Sequence, residues 1–234
     1  DRGRIRENRI GFETNGGAAI AFSGPGIEAI GEDNVVGDEF PDGGDGNQIV
    51  ASGGPGIRAA GGFTGIRGNW VGCASNDGLY VYGGCGTGIE VSGGVSNALY
   101  RNFVVDSAGD GIVLSNCPAA QVMDCRIGVC PQDLMRANGG RGLVLHGSPG
   151  NDLWGNWVVG SGLEGLWLFD CSDTEIVGNR IGYVPELGLW RYNGSHGLHA
   201  VNSSNLTIGL RNPGLENVVA GNGGHGIFIE RSEW

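Results

Sequence analysis

The sequence contains no lysine: all 14 basic residues are arginine, set against 25 acidic residues for a formal charge of −11. An acidic chain without lysine matches neither the phosphate backbone of nucleic acid nor anionic lipid, so no nucleic-acid partner is expected. No stretch approaches the roughly 18 consecutive apolar residues that a membrane-spanning helix requires, and no membrane insertion is expected. A secretory leader and an initiator methionine are also missing, so Asp1 reads as the start of a processed or excerpted chain. None of the six cysteines falls in a Cys-x-x-Cys pair, which removes the usual zinc framework. The 49 glycines follow no collagen triplet and are interleaved with Ile, Val and Leu throughout, a composition of frequent turns rather than disorder.

What the chain has instead is a short unit repeated along its length. Asn179-Arg180-Ile181-Gly182 recurs with small changes at Asn8, Asn47, Asn69, Asn102, Cys125, Asn156 and Asn217, always with Ile or Val third. A second unit interleaves with it, a four-residue segment opened by Ile27, Ile57, Ile89, Ile112, Leu143, Leu166, Leu198 or Ile227. The first and third residues of these segments are apolar in every copy. The second varies, from Glu28, Arg58 and Glu90 to Val113, Val144, Trp167, His199 and Phe228. A period of two with one apolar side specifies a strand with one face on a core. A third strand ends three residues before the Asn, with Ile5, Ile66, Leu99, Val122, Leu153 and Ile176 facing inward. Three short strands per turn over about eight turns predict an all-β solenoid, a right-handed parallel β-helix. Residues 1–234 are expected to form one such domain, a segment of a longer protein or filament. At about 4.8 Å per turn the rod would be roughly 38 Å long.

Asparagine suits the repeated corner because a tight turn needs a backbone tolerant of left-handed φ, and a buried amide both donates and accepts. Stacked copies are expected to bond to one another as a ladder that Cys125 interrupts. The gap from corner to next strand alternates in length. Gly11, Gly72, Gly128 and Gly182 open long loops, whereas Val50, Val105, Val159 and Ala220 run straight on. Glycine at the branch point lets the chain leave the coil at an angle other residues disfavour. Loops on every second turn lie about 10 Å apart, the spacing of packed sheets, where loops on every turn would collide. Cys73 and Cys85 flank one of these loops and are the candidate disulfide, in keeping with an oxidising exterior.

The run from Asn179 through Gly194 to Leu198 resembles the N-x-I-G…N-G-x-x-G-[IV] unit of right-handed parallel β-helix repeat proteins, and Asn205 to Ile227 looks like the companion unit. The resemblance implies a large secreted or surface-displayed bacterial protein. The broader pectate-lyase-like β-helix fold includes polysaccharide lyases and hydrolases. Gly224-His225-Gly226 resembles the GHG motif of β-helical polygalacturonases, but the accompanying NTD, paired-Asp and RIK motifs are missing. The same slot elsewhere holds Pro25, Pro55, Thr87, Asp110 and Arg141, so His225 reads as a variable turn residue.

Residues able to carry chemistry are few. Glu28, Arg58 and Glu90 form an outward carboxylate–guanidinium–carboxylate row on successive turns. Its two acids sit about 10 Å apart, near the upper limit for an inverting glycosidase, and the Arg between them favours a surface charge ladder. Asp42-Gly-Gly-Asp45-Gly-Asn47 alternates carboxylates and carbonyls as a Ca²⁺ loop does, but matches no full calcium motif and reads equally as an Asp/Gly turn. No cofactor is expected beyond that Ca²⁺. Trp167, Phe169, His199, Trp190 and Tyr192 are the candidate ligand-binding residues. Val144, Trp167, Phe169, Val201 and Phe228 together form an apolar outward patch that needs loop cover, a second chain or a sugar ring.

The regular repeat and the missing catalytic constellation favour a non-enzymatic extracellular structural or adhesive rod, self-associating end to end or continuing into further β-helix. The alternative is a polysaccharide-active β-helix enzyme (lyase, epimerase or hydrolase) or a non-catalytic carbohydrate-binding module. Both place the chain at the cell surface or outside the cell.

Overall fold

The computed structural model describes residues 3–12, 19–38, 46–76, 79–131, 134–185, 189–190, 192–210, 212 and 214–232. Three parallel sheets of eight strands each wind into a right-handed β-helix, and no α-helix occurs among the described residues. Sheet 1 begins at Arg4–Ile5 and ends at Thr207–Ile208. Sheet 2 runs from Arg9–Ile10 to Val218–Val219, and sheet 3 from Ile27–Ile30 to Ile227–Glu230. Register is strict: Ile57, Ile89, Ile112, Leu143, Leu166 and Leu198 stack in one column of sheet 3. All of these are fully buried, as are Ile66, Leu99, Val122, Leu153 and Ile176 of sheet 1. The period-two pattern leaves no alternative, because slipping one strand by a residue would turn its whole apolar set into water. Toward both terminal rungs the core residues Ile5, Ile10, Ile208, Val219 and Ile229 are only partly buried.

The corner between sheets 1 and 2 carries the asparagine ladder. Each Nδ2 donates to the Oδ1 of the copy one turn on: Asn8 to Asn47 (2.8 Å), Asn47 to Asn69 (2.9 Å) and Asn69 to Asn102 (3.0 Å). After the break, Asn156 donates to Asn179 and Asn179 to Asn217, both at 3.0 Å. At Cys125 the amide of Asn102 meets only a sulfur at 3.8 Å. The second N–H of each amide serves a backbone carbonyl, as Asn156 does for Val122 at 2.8 Å, so the buried corner keeps its polar groups paired.

The long loops are antiparallel hairpins: Cys73–Asn76 pairs with Leu79–Tyr82, and Tyr183–Val184 with Leu189–Trp190. Phe12 bridges Ala19 and Val129 bridges Met135 in the same antiparallel sense. Gly72 shows why glycine opens them. Its φ is +86°, and a Cβ there would sit 1.8 Å from the carbonyl oxygen of Val105 on the next turn. The intervening turn then fills the space between hairpins: Val105 packs with Cys73 and Cys130, and Val159 with Val129 and Val184.

This packing corrects the expected disulfide. Cys73 and Cys85 are both free thiols. Cys73 turns outward into the cluster with Val105 and Cys130, whereas Cys85 turns inward into the main core, so the rod wall separates them. Having neighbouring ends of one loop in the sequence did not put the two side chains on one side of it. The Ca²⁺ candidates Asp42 and Asp45 lie outside the described residues.

Candidate functional site

The alternation that buries the first and third residues of each sheet-3 strand sends the second and fourth outward. It also continues upstream, past the glycine before each strand, to the residue ahead of that glycine. Three outward columns therefore run along the sheet. In the C-terminal turns they bring together Arg141, Glu164, His196 and His225, then Trp167, His199 and Phe228, then His146, Phe169 and Glu230.

Glu164 is the hub. Arg141 Nε donates to its Oε2 at 2.9 Å, and Ser195 Oγ to its Oε1 at 3.2 Å. Burial works to raise this carboxyl, but its own backbone N–H and the Arg141 guanidinium outweigh that and hold Glu164 below the usual carboxylate range. The same guanidinium lies 4.5 Å over the Trp167 ring. His199 sits between two acids, its Nδ1 3.9 Å from Glu164 and its Nε2 3.4 Å from Glu230. Both distances suit ion pairing, yet both ring nitrogens are buried and neither meets a partner in hydrogen-bonding geometry. Buried polar atoms in that state are uncommon in folded proteins.

Rings enclose the histidine. Phe228 lies 4.9 Å from His199 and His196 lies 5.2 Å away, edge-on. His225 stacks on Phe228 at 5.1 Å and sends its backbone N–H to His196 Nδ1 at 2.9 Å. Desolvation, helped by His199 and His225, pushes the His196 imidazole below its ordinary value, so it is neutral near pH 7. On the other side Trp167 and His146 both stack on Phe169, at 5.6 and 5.3 Å. An ionised carboxylate, a neutral imidazole, a guanidinium and several ring faces thus converge on one strip. The strip can hold a ring-shaped polar ligand by stacking and move a proton between a carboxylate and an imidazole. Among the described residues no group of three or more His, Cys, Asp or Glu side chains could hold a metal ion.

Of the residues singled out from the sequence, Trp167, Phe169 and His199 lie in this strip. Tyr192 is 65% exposed at the foot of the second hairpin, in which Trp190 is a strand residue. The apolar patch is not bare, since Val144 and Val201 are buried beneath their neighbours. Arg58 bridges Glu28 at 3.6 Å and Glu90 at 3.5 Å on the same sheet, several turns away. Sequence reasoning missed Arg141 and Glu164 and set His225 aside as a turn residue. The signal was the alternation itself, which continues through the turn.

The three parallel eight-stranded sheets define a class, the right-handed parallel β-helix. The chain belongs to the family described as the right-handed beta helix region, whose model matches residues 66–190. No curated protein matches the sequence. Among solved structures it is similar to the periplasmic alginate epimerase AlgG (17% identity, TM-score 0.57), covering 99% of this chain and 50% of that one. It is also similar to the A-module of the Azotobacter vinelandii mannuronan C-5 epimerase AlgE4 (14% identity, TM-score 0.53, 88% of this chain and 53% of that). A third likeness is to the enzymatically active domain of tailspike protein 2 of bacteriophage CBA120 (13% identity, TM-score 0.55, 99% of this chain and 36% of that). At these identities the likeness is one of fold, and the chain spans about half the length of the epimerases or less of the tailspike.

Proposed function

We propose that this chain is the glycan-engaging β-helix of a polysaccharide-active protein working outside the cytoplasm, with the glycan lying along the outer face of sheet 3. The observation that carries the reading is the strip itself: Arg141–Glu164–His199–Glu230 beside Trp167 and Phe228, with both His199 nitrogens lacking a hydrogen-bond partner. A pyranose offers an apolar ring face to Trp167 or Phe228 and hydroxyls to Glu164 and the histidines. In this reading Glu164 and His199 are the proton-handling pair and Arg141 fixes the carboxylate. The fold likeness to alginate epimerases and a phage tailspike supports the polysaccharide class over the structural rod expected from repeat regularity alone. A regular ladder inside the rod is compatible with either, because it shapes the scaffold and not the outer columns.

The test is a panel of neutral and acidic polysaccharides assayed for binding, depolymerisation and epimerisation. At least one should bind, with affinity reduced more than tenfold in Trp167→Ala. Turnover, where seen, should be lost in Glu164→Gln. Unchanged affinity in folded Trp167→Ala would move the glycan off this face.

A further inference from the structure

Two histidines of the strip fix each other's protons. The backbone N–H of His225 donates to His196 Nδ1 at 2.9 Å. A backbone amide nitrogen has only a proton to give. His196 Nδ1 therefore meets it with a bare lone pair, and the neutral ring carries its proton on Nε2. His225 Nδ1 lies 3.3 Å from the same lone pair. Two bare nitrogens at that distance would repel, so His225 holds a proton on Nδ1, and in its neutral ring Nε2 is the open acceptor.

The position in the repeat enforces this arrangement. The residue ahead of the strand glycine recurs once per turn, and one copy reaches the next in the same way elsewhere. The backbone N–H of Arg141 donates to Asp110 Oδ1 at 2.6 Å. There the acceptor is a carboxylate, whereas at His196 it is an imidazole nitrogen made to act as one. Gly224 leaves room for the ring. A Cβ at position 224 would stand 2.6 Å from His196 Nδ1 and 3.0 Å from its Cε1, so the ring would have to move. The contact also bars a second proton from Nδ1, the direction in which burial and the flanking His199 and His225 already push His196. What remains for a ligand is one uncharged donor, Nε2–H, with the rings of His199 and Phe228 5.2 and 5.0 Å away.

We propose that His196 is a dedicated hydrogen-bond donor of the strip, locked in that role by the backbone of His225, and that it receives an uncharged oxygen, a hydroxyl or carbonyl of a neutral sugar unit. This rests on the reading that sheet 3 engages a glycan, and it divides the labour within that reading. Glu164 and His199 handle the proton, while His196 orients the sugar and cannot serve as a base. An anionic sugar unit is disfavoured here. Two carboxylates, Glu164 and Glu230, flank the neighbouring His199, and Arg141 balances only the first of them.

The experiment reads the ring nitrogens directly, by side-chain nitrogen-15 NMR of the intact chain at neutral pH. His196 should show a bare Nδ1 and a protonated Nε2, and His225 a protonated Nδ1. Other turns hold threonine (Thr87) or proline (Pro25, Pro55) in the slot of His225, which makes both substitutions compatible with the turn. His225→Thr removes the ring and keeps the backbone N–H, so Nδ1 of His196 should stay bare. His225→Pro removes the N–H as well, and His196 should then charge at a higher pH than in His225→Thr. Binding is read on the panel of neutral and acidic polysaccharides, a β-glucan and a polygalacturonate among them. A neutral member should bind at least tenfold more tightly than any acidic one. His196→Phe should weaken that binding at least tenfold, and His196→Gln, which restores an N–H donor, should recover most of it. A protonated Nδ1 on His196 in the parent, or the same titration in the threonine and proline variants, overturns the lock whatever binds. Full affinity in folded His196→Phe, or tightest binding of an acidic member that Trp167→Ala abolishes, overturns the donor role. A panel on which Trp167→Ala changes nothing refutes the sheet-3 reading and the donor role with it, while the nitrogen spectrum still decides the lock.

Discussion

Replacing Asn156 with alanine probes the ladder where it is already weakest. Asn156 is the first asparagine beyond the Cys125 break, and it is fully buried. Its Oδ1 is the acceptor for the Cys125 backbone N–H at 3.0 Å, and its Nδ2 serves Val122 O at 2.8 Å and Asn179 Oδ1 at 3.0 Å. Its own N–H keeps its bond to Asn179 Oδ1 at 2.9 Å when the side chain is gone. Truncation therefore strands the Cys125 N–H inside the corner, at about 1–3 kcal/mol for an orphaned buried donor. With the small cavity added, the expected loss is about 3 kcal/mol. Asn8→Ala removes the same side chain from an exposed rung and should fall within about 0.5 kcal/mol of the parent. Cys125→Asn should run the other way. It gives Asn102 Nδ2 an amide oxygen in place of a sulfur at 3.8 Å, a gain of about 1 kcal/mol.

The assay is equilibrium urea denaturation followed by tryptophan fluorescence and far-ultraviolet circular dichroism at fixed pH. Coincidence of the two probes comes first, because a solenoid need not unfold in one step. The midpoints and slopes of the variants then give the ranking. The reasoning fails if Asn156→Ala is no less stable than Asn8→Ala, or if Cys125→Asn destabilises. Either outcome would mean that the amide stack follows from the fold rather than holding it.

Two further outcomes are expected. Thiol titration in denaturant without reductant should find all six cysteines free, while the native protein should react slowly at neutral pH. All six are buried, burial pushes the Cys125 thiol up to about 12 and Cys85 up to about 11, and only the thiolate reacts. A shortfall of two thiols in denaturant would show a disulfide, with Cys73 and Cys130 packed in one cluster. Stability should also fall in acid. His196 is depressed in the fold, so the unfolded chain takes up its proton first and stability drops as pH falls through about 6.5. Glu164 is depressed too, and its contribution, present above about 4.3, is lost as pH falls further. His196→Asn should flatten the decline between pH 7 and 5, and an unchanged slope would remove His196 as its source.

How much of this was legible depends on which way a residue faces. Inward positions are held by close packing and by hydrogen bonds with no spare partner. Ile66 or Asn102 therefore has few substitutes, and the repeat shows through eight times. Outward positions carry no such constraint, so nothing periodic distinguishes Glu164 or His196 from a solvated turn. Their roles come from neighbours one turn away, such as Arg141 and His225, which lie 23 and 29 residues distant in the sequence. The cysteine pairing failed for a related reason. Cys73 and Cys85 bracket one hairpin, but inside and outside alternate by residue, and only the register shows which side each sulfur takes.

The same geometry makes the faces of the rod separable. Neighbouring turns are about 4.8 Å apart, so a ligand lying along the rod meets the outward columns of one sheet, one set of side chains per turn. Trp167 belongs to sheet 3 and Arg126 to sheet 2, with the packed core between their strands. Substitutions that distant and without shared partners should act independently, so each reports the chemistry of its own face. The ladder residues are the exception. Asn156 lies at the corner between sheets 1 and 2, and through Asn179 it supports the turn that leads to the second hairpin and on to His196. Sheet-3 binding that persists in Asn156→Ala would show that strain at the corner stays local. Its loss would show that the rod transmits strain from the corner to the outer face of sheet 3.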